Sequence, residues 1–179
     1  MSNYYYYLIA SLPMLHFGMK PSIAWNDFLT VCQEQLIATD FEIIQKIISS
    51  QELPPHSTKS VLKAWFEFNH QLRNELAWSR ALEAKKDPLN HTRGPREAQP
   101  AIVEMISQAF KSRDPLTAEK ILDRFRWQYL DELTEGHYFD LEFLITFALK
   151  LKILERYQLI ESPKGKEIFK EYTHIKVPL

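Results

Sequence analysis

Between Phe139 and Arg156 the chain reads FDLEFLITFALKLKILER. In this stretch Leu141, Leu144, Ile145, Ala148, Leu149, Leu151 and Ile153 leave little polar face over the first three turns of a helix. A helix that is apolar nearly all round is stable in water only when other elements enclose it. The fold is therefore expected to be built around residues 139–156. Asp140 is placed to cap this helix. Asp140 and Glu142 stand at its start and Lys150, Lys152 and Arg156 toward its end, the order that the helix dipole favours. The charges thus have a structural explanation that needs no catalysis. With Glu142, Lys150, Lys152 and Glu155 interrupting it, the stretch falls short of the roughly twenty consecutive apolar residues of a membrane span.

The rest of the chain is punctuated like a set of helices. Its four glycines and ten prolines fall mostly between long runs free of both, the pattern of helices joined by short connections. The expected class is all-α, a bundle of about seven helices around the buried 139–156 segment. Near the N-terminus, Tyr4, Tyr7, Leu8, Ser11 and Leu12 share a helical face that ends at Pro13; the competing reading is a short strand, since tyrosine favours β structure. Ser22 is placed to cap a helix with Trp25, Phe28, Leu29, Cys32 and Leu36 on one face. Thr39 and Glu42 have the spacing of a capping box ahead of Ile43, Ile44, Ile47 and Ile48, in a helix that stops by Pro54-Pro55. A long helix, 58–86, carries Val61, Trp65, Phe68, Leu72 and Leu76 as a packing stripe.

Residues 87–100, DPLNHTRGPREAQP, hold four prolines or glycines and almost no large apolar side chain. This seam is either the boundary between two lobes or a mobile segment within a single domain spanning 1–179. Beyond it, Ile102, Val103, Ile106 and Phe110 form a short helix. Asp114-Pro115 is a cap with proline at the first helical position, followed by a face of Leu122, Phe125, Tyr129 and Leu133 that ends at Gly136. A last helix is expected over 163–172, with THIKVPL as a tail.

Composition excludes some functions. Lys plus Arg (22) nearly equals Asp plus Glu (23), whereas a protein that coats nucleic acid or anionic lipid normally carries a basic excess. The single cysteine, Cys32, cannot form an intramolecular disulfide, which fits a reducing compartment. The opening MSNYYYYLIASLPML has no basic segment ahead of its apolar run and is expected to belong to the mature protein. There is no Gly-x4-Gly-Lys-Ser/Thr loop and no Gly-x-Gly-x-x-Gly, so the nucleotide-binding fingerprints are missing.

Chemistry-bearing residues are scattered. No two of the six histidines stand three or four apart, and one cysteine rules out a Cys-rich zinc site. His137 with Asp140 and Glu142 is the nearest thing to a ligand set; the favoured reading has His137 bonding a terminal carbonyl behind the Gly136 stop. Cys32 reads as core, and Asp131, Glu132 and Glu34 read as a solvated face. No catalytic residue, cofactor or metal is assigned. The surfaces suited to a partner are two. Four consecutive tyrosines, Tyr4, Tyr5, Tyr6 and Tyr7, point all round a helix, so at least one faces away from the core, and an aromatic with a polar tip suits a protein interface. The segment 73–96 carries a net +3, with Arg73, Arg80, Arg93 and Arg96 among its bases, against a net −4 over 101–142.

The segments YYYYLIASLP, FNHQLRNELAWSRA (68–81), RWQYLDELTEGHYFDLEFLITFALKLKILER and SPKGKEIF resemble a bacterial family known mainly because its genes sit in V-type (A/V-type) ATPase operons. That family is similar in part to the all-helical, funnel-shaped component of V-type ATPases that stands on the rotor ring at the base of the central stalk. The resemblance spans nearly the whole chain and is most specific from Trp127 to Arg156. It implies a non-catalytic helical subunit or accessory that links the central stalk to the membrane rotor ring, at the cytoplasmic side and peripheral to the inner membrane. The implied partners are other subunits of that ATPase, with neither nucleic acid nor insertion into the bilayer. This chain is too short for the full set of helical repeats of the funnel-shaped component, and no functional residue carries over. Two other readings are an enzyme whose site assembles from His137, Asp140, Glu142 and Arg126, and a regulatory helical module that binds through the basic seam.

Overall fold

The computed structural model describes residues 3–49, 60–94, 96–97, 99–112, 114–163, 165 and 167, with the side chains of all but 48, 49 and 161. The Pro54-Pro55 stop, Pro95 of the seam, the side chain of Ile48, most of the expected 163–172 helix and the tail lie outside them. Among the described residues the chain is all-α, with seven α-helices: α1 (Tyr6–Ser11), α2 (Trp25–Gln35), α3 (Ala38–Ser49), α4 (Ser60–Glu83), α5 (Pro100–Lys111), α6 (Pro115–Thr134) and α7 (Leu141–Glu161), plus a 3-10 turn at Pro88–Asn90. No helix among them is long and apolar enough to cross a membrane. The helices fall into two compact units, one of Met1–Gln51 with His137–Leu179 and the other of Glu52–Gly136.

The first unit contains α1, α2, α3 and α7. Helix α7 is the enclosed rod that its composition demands: Leu141, Leu144, Ile145, Ala148, Leu151 and Leu154 are buried on several faces at once. Asp140 caps it, its Oδ1 accepting the Phe143 N–H at 3.1 Å. Helix α3 packs along α7 with Ile44 and Ile47 fully buried. Phe28 of α2 lies against Phe147 of α7, ring centroids 5.1 Å apart.

Two expected caps are absent here. Ala24, not Ser22, is the N-cap of α2, and it supplies no side-chain bond. The carbonyl of Ile37 accepts the N–H groups of Asp40 and Phe41, so α3 begins ahead of Thr39, which lies inside the first turn and does not form the expected box. Helix α7 itself continues to Glu161 and has no basic residue in its last turn. Lys150, Lys152 and Arg156 are therefore interior to the helix and do not serve its own C-terminus. Two of the ions on α7 serve neighbours instead. Lys152 Nζ donates to the Ile47 carbonyl at 3.1 Å, one of the last carbonyls of α3, which lack a partner along the helix. Glu155 Oε1 accepts the Trp25 N–H at 3.0 Å and stands in for the missing side-chain cap of α2. A cation at one helix's C-terminus and an anion at another's N-terminus are both favoured by the peptide dipoles.

The second unit contains α4, the 3-10 turn, α5 and α6. The expected stripe of α4, Val61, Trp65, Phe68, Leu72 and Leu76, is buried throughout. Phe68 stacks on Tyr129 of α6 at 4.0 Å and approaches Phe125 at 5.4 Å. Ile102, Ile106 and Ala109 form the buried face of α5, which packs on both α4 and α6. Asp114 caps α6 as its place before Pro115 requires, accepting from the N–H groups of Leu116 at 3.3 Å and Thr117 at 2.9 Å. On α6, Trp127 and Leu130 are buried with Leu122, while Phe125, Tyr129 and Leu133 are half-buried. The inner face is thus rotated from the expected one.

The seam lies within this second unit, and the division between units falls at 51/52 and 136/137. Helix α4 stops at Glu83, where Lys85 takes a left-handed φ of 54°. The Lys86 N–H then reaches Ala81 O and the Lys85 N–H reaches Leu82 O, the paired bonds of a Schellman stop. From there the chain turns back and is fastened to α4. Asn74 binds the Arg93 backbone twice, its Nδ2 donating to the carbonyl at 2.6 Å and its Oδ1 accepting the N–H at 3.1 Å. Arg96 forms a fork on Glu75, Nε to Oε2 at 2.9 Å and a terminal nitrogen to Oε1 at 2.7 Å. Its guanidinium also covers the Trp78 ring at 4.6 Å.

Candidate functional site

The four tyrosines divide unequally. Tyr5 points inward: its hydroxyl donates to Asp40 Oδ2 at 2.5 Å, and burial, reinforced by that carboxylate, pushes the phenol up to about 12. Its N–H donates to the Phe139 carbonyl at 2.6 Å, which ties the start of α1 to the loop before α7. The other three face solvent, with 61% of Tyr4, 54% of Tyr6 and 90% of Tyr7 exposed. The expected face of Tyr4, Tyr7 and Leu8 is therefore replaced by one of Tyr5, Leu8 and Ile9, all buried. The helical reading of this segment holds, over Tyr6–Ser11.

The exposed rings are not scattered. Tyr6 stacks on Tyr4 at 5.7 Å between centroids and lies 4.8 Å from Phe139. Phe139 and its neighbour Tyr138 are exposed as well. Residues from the two chain segments of the first unit thus build one aromatic platform on a rigid base, because Tyr5 is anchored through both its backbone and its side chain. Sequence reasoning found the tyrosines but missed Tyr138 and Phe139. The signal was an aromatic pair beside the Gly136 stop, and nothing local shows that it meets residues more than a hundred positions away.

Beside the platform lie His137, Asp140 and Glu142, whose ligand atoms are within 4.8 Å of one another. His137 Nδ1 is 2.6 Å from Asp140 Oδ2, where the expected reading had it bonding a terminal carbonyl. Two ligands of one tetrahedral zinc ion would sit about 3.3 Å apart, given bonds of about 2.0–2.1 Å. The shorter separation is that of a hydrogen bond, and the other oxygen of Asp140 is engaged in capping α7. The trio is thus organised as a helix start: Asp140 holds the imidazole with one oxygen and the first turn with the other.

The remaining candidates take places that favour structure over catalysis. Arg126 is half-buried on α6 and paired with Asp123 at 2.6 Å and Glu119 at 3.4 Å. The Cys32 thiol is fully buried and pushed up to about 12 by burial, which suppresses the nucleophilic thiolate. Asp131, Glu132 and Glu34 are all exposed, as a solvated face requires. Among the basic candidates, Arg73, Arg80 and Arg93 are exposed, with Arg93 held through its backbone by Asn74. Arg96 is different. Its partner Glu75 is only 3% exposed, so this arginine neutralises a buried carboxylate of its own fold.

Among the described residues, fold and site together define an all-helical protein that carries an exposed aromatic platform. Residues 102–175, from α5 through α7, match a family described as protein of unknown function (DUF2764). No curated protein matches the chain, and no solved structure does.

Proposed function

We propose that this protein is a non-catalytic helical adaptor, a subunit or accessory of a V/A-type ATPase that joins the central stalk to the membrane rotor ring. The resemblance of its segments to the ATPase-operon family and, in part, to the funnel-shaped component at the stalk base suggests the complex. The observation that carries the adaptor role is the platform of Tyr4, Tyr6 and Phe139, with Tyr7 and Tyr138 exposed nearby in the chain. Exposed, mutually stacked aromatics on a rigid base are costly to leave in water and are the residues that dominate protein interfaces. In this reading the chain works peripheral to the inner membrane on its cytoplasmic face, and Arg73, Arg80 and Arg93 offer a second, electrostatic surface to stalk or ring subunits.

The test is purification of the tagged full-length chain from native membranes, with identification of what accompanies it. Stalk and ring subunits of the ATPase are expected, and they should be lost when Tyr4 and Tyr6 are both changed to Ser. Changing Arg73, Arg80 and Arg93 to Gln should weaken the association in a salt-dependent manner. Arg96 must be left intact, because its removal would damage the fold. Recovery of the chain without ATPase subunits under conditions that preserve the complex would refute the assignment.

A further inference from the structure

The platform has a sign as well as a shape. Residues 3–12 contain no charged side chain, and residues 137–149 contain Asp140 and Glu142 but no lysine or arginine. Underneath, α3 contributes Asp40, while its nearby cation, Lys46, is paired with Glu42 at 2.5 Å. The rings of Tyr4 and Tyr6 remain more than half exposed in spite of their stacking, an aromatic face is the negative part of its π system, and the carboxylates at the start of α7 follow Phe139 in the chain. Both features attract a cation, and both repel an anionic bilayer.

We infer that the aromatic platform built by Tyr4, Tyr6 and Phe139, with the adjoining carboxylates of Asp140 and Glu142, is a docking site for an arginine-bearing segment of a partner protein. A guanidinium can lie flat over an aromatic face within about 6 Å of its centroid while its N–H fork is directed at a carboxylate, which suits arginine better than lysine. The unequal exposure of the tyrosines supports this. Tyr5 is committed to Asp40 and keeps the base rigid, leaving the exposed rings of Tyr4 and Tyr6, packed against Phe139, to receive the ligand at little cost in ordering. The inference deepens the adaptor reading by giving its partner a chemistry.

The test uses the isolated full-length chain, isotopically labelled, titrated with acetyl-tetra-arginine amide and observed by NMR. Saturable shifts are expected at residues 4–6 and 137–142. Tyr6→Leu, which keeps an apolar contact on Phe139 but removes the π face, should weaken binding roughly two- to fivefold. Tyr4→Ser, ahead of α1, should do the same without touching the helix, so a folding defect in one variant leaves the other decisive. Glu142→Gln should weaken it further, and an acetyl-tetra-norleucine amide should not bind.

Shifts spread over acidic residues throughout the chain, or unchanged binding in both aromatic variants, would overturn the inference. So would binding to neutral phosphatidylcholine vesicles through the same residues without response to arginine, or self-association that covers the platform. A chain that binds tetra-arginine here but does not purify with the ATPase would keep this site and lose the adaptor assignment. The reverse result would keep the adaptor and lose the site.

Discussion

Lys85 holds a backbone conformation that glycine adopts without steric cost. Its φ of 54° closes the Schellman stop of α4, and a side chain there crowds the backbone. Lys85→Gly is therefore expected to raise stability by up to about 1 kcal/mol, the strain relieved being partly offset by the greater freedom of glycine in the unfolded chain. Lys85→Val should lower it, since a branched Cβ tolerates a positive φ least. Urea denaturation of the three proteins measures both; a Gly variant less stable than Val would contradict the assignment. The stop itself was hidden in the sequence, because the usual glycine is absent and the lysine looks like continuing helix. By contrast Asp114 and Asp140 were legible as caps. Each stands directly before the first helical residue, and the bond that each makes is local, to an N–H two or three positions on.

At the scale of elements, ion pairs and caps between neighbouring segments hold each unit together internally. Arg96, itself partly exposed, neutralises the buried Glu75, and its removal leaves a buried carboxylate without its fork. Arg96→Ala should cost about 2 kcal/mol, and adding Glu75→Gln should restore part of the loss. If the double variant were no more stable than the single one, the cost would lie in lost packing on Trp78. The cap that α7 supplies to α2 has a pH signature. Burial holds the Glu155 carboxyl above its ordinary 4.5, opposed by the bond from the Trp25 N–H. Well below 4.5 both folded and unfolded chains carry the proton. As pH rises above 4.5 the unfolded chain releases it first while the folded chain retains it, so stability falls until the folded carboxyl ionises too. Compared with Glu155→Gln, the natural protein should therefore lose stability over that interval. Parallel chemical denaturation curves across it would show the difference between the two changing with pH, and a constant difference would exclude the effect. Hydrophobic spacing made the α4 stripe readable, because burying one face of a long helix imposes a period on the residues themselves. On α6 the same spacing pointed to a rotated face, since Trp127 enters the core and half-buried aromatics border it.

For the whole molecule, the two units fix which surfaces are available and which apparent surfaces are already used. The seam had the composition of a boundary, yet the structure fastens it to α4 through Asn74, Glu75 and Trp78, and the unit divisions fall elsewhere. That outcome was not legible, because a loop's composition reports its polarity but not the element that it lies against. The all-α class and the enclosed α7 were determined by the sequence alone. Both follow from backbone preference and from the period of apolar residues, quantities that each segment carries within itself. Tertiary structure decided which tyrosine turns inward, that Phe139 joins the others at the surface, and that Lys152 and Glu155 serve helices 105 and 130 positions away. Those choices depend on which distant segments meet, and electrostatic and aromatic contacts at such separations leave no period in the sequence from which to read them.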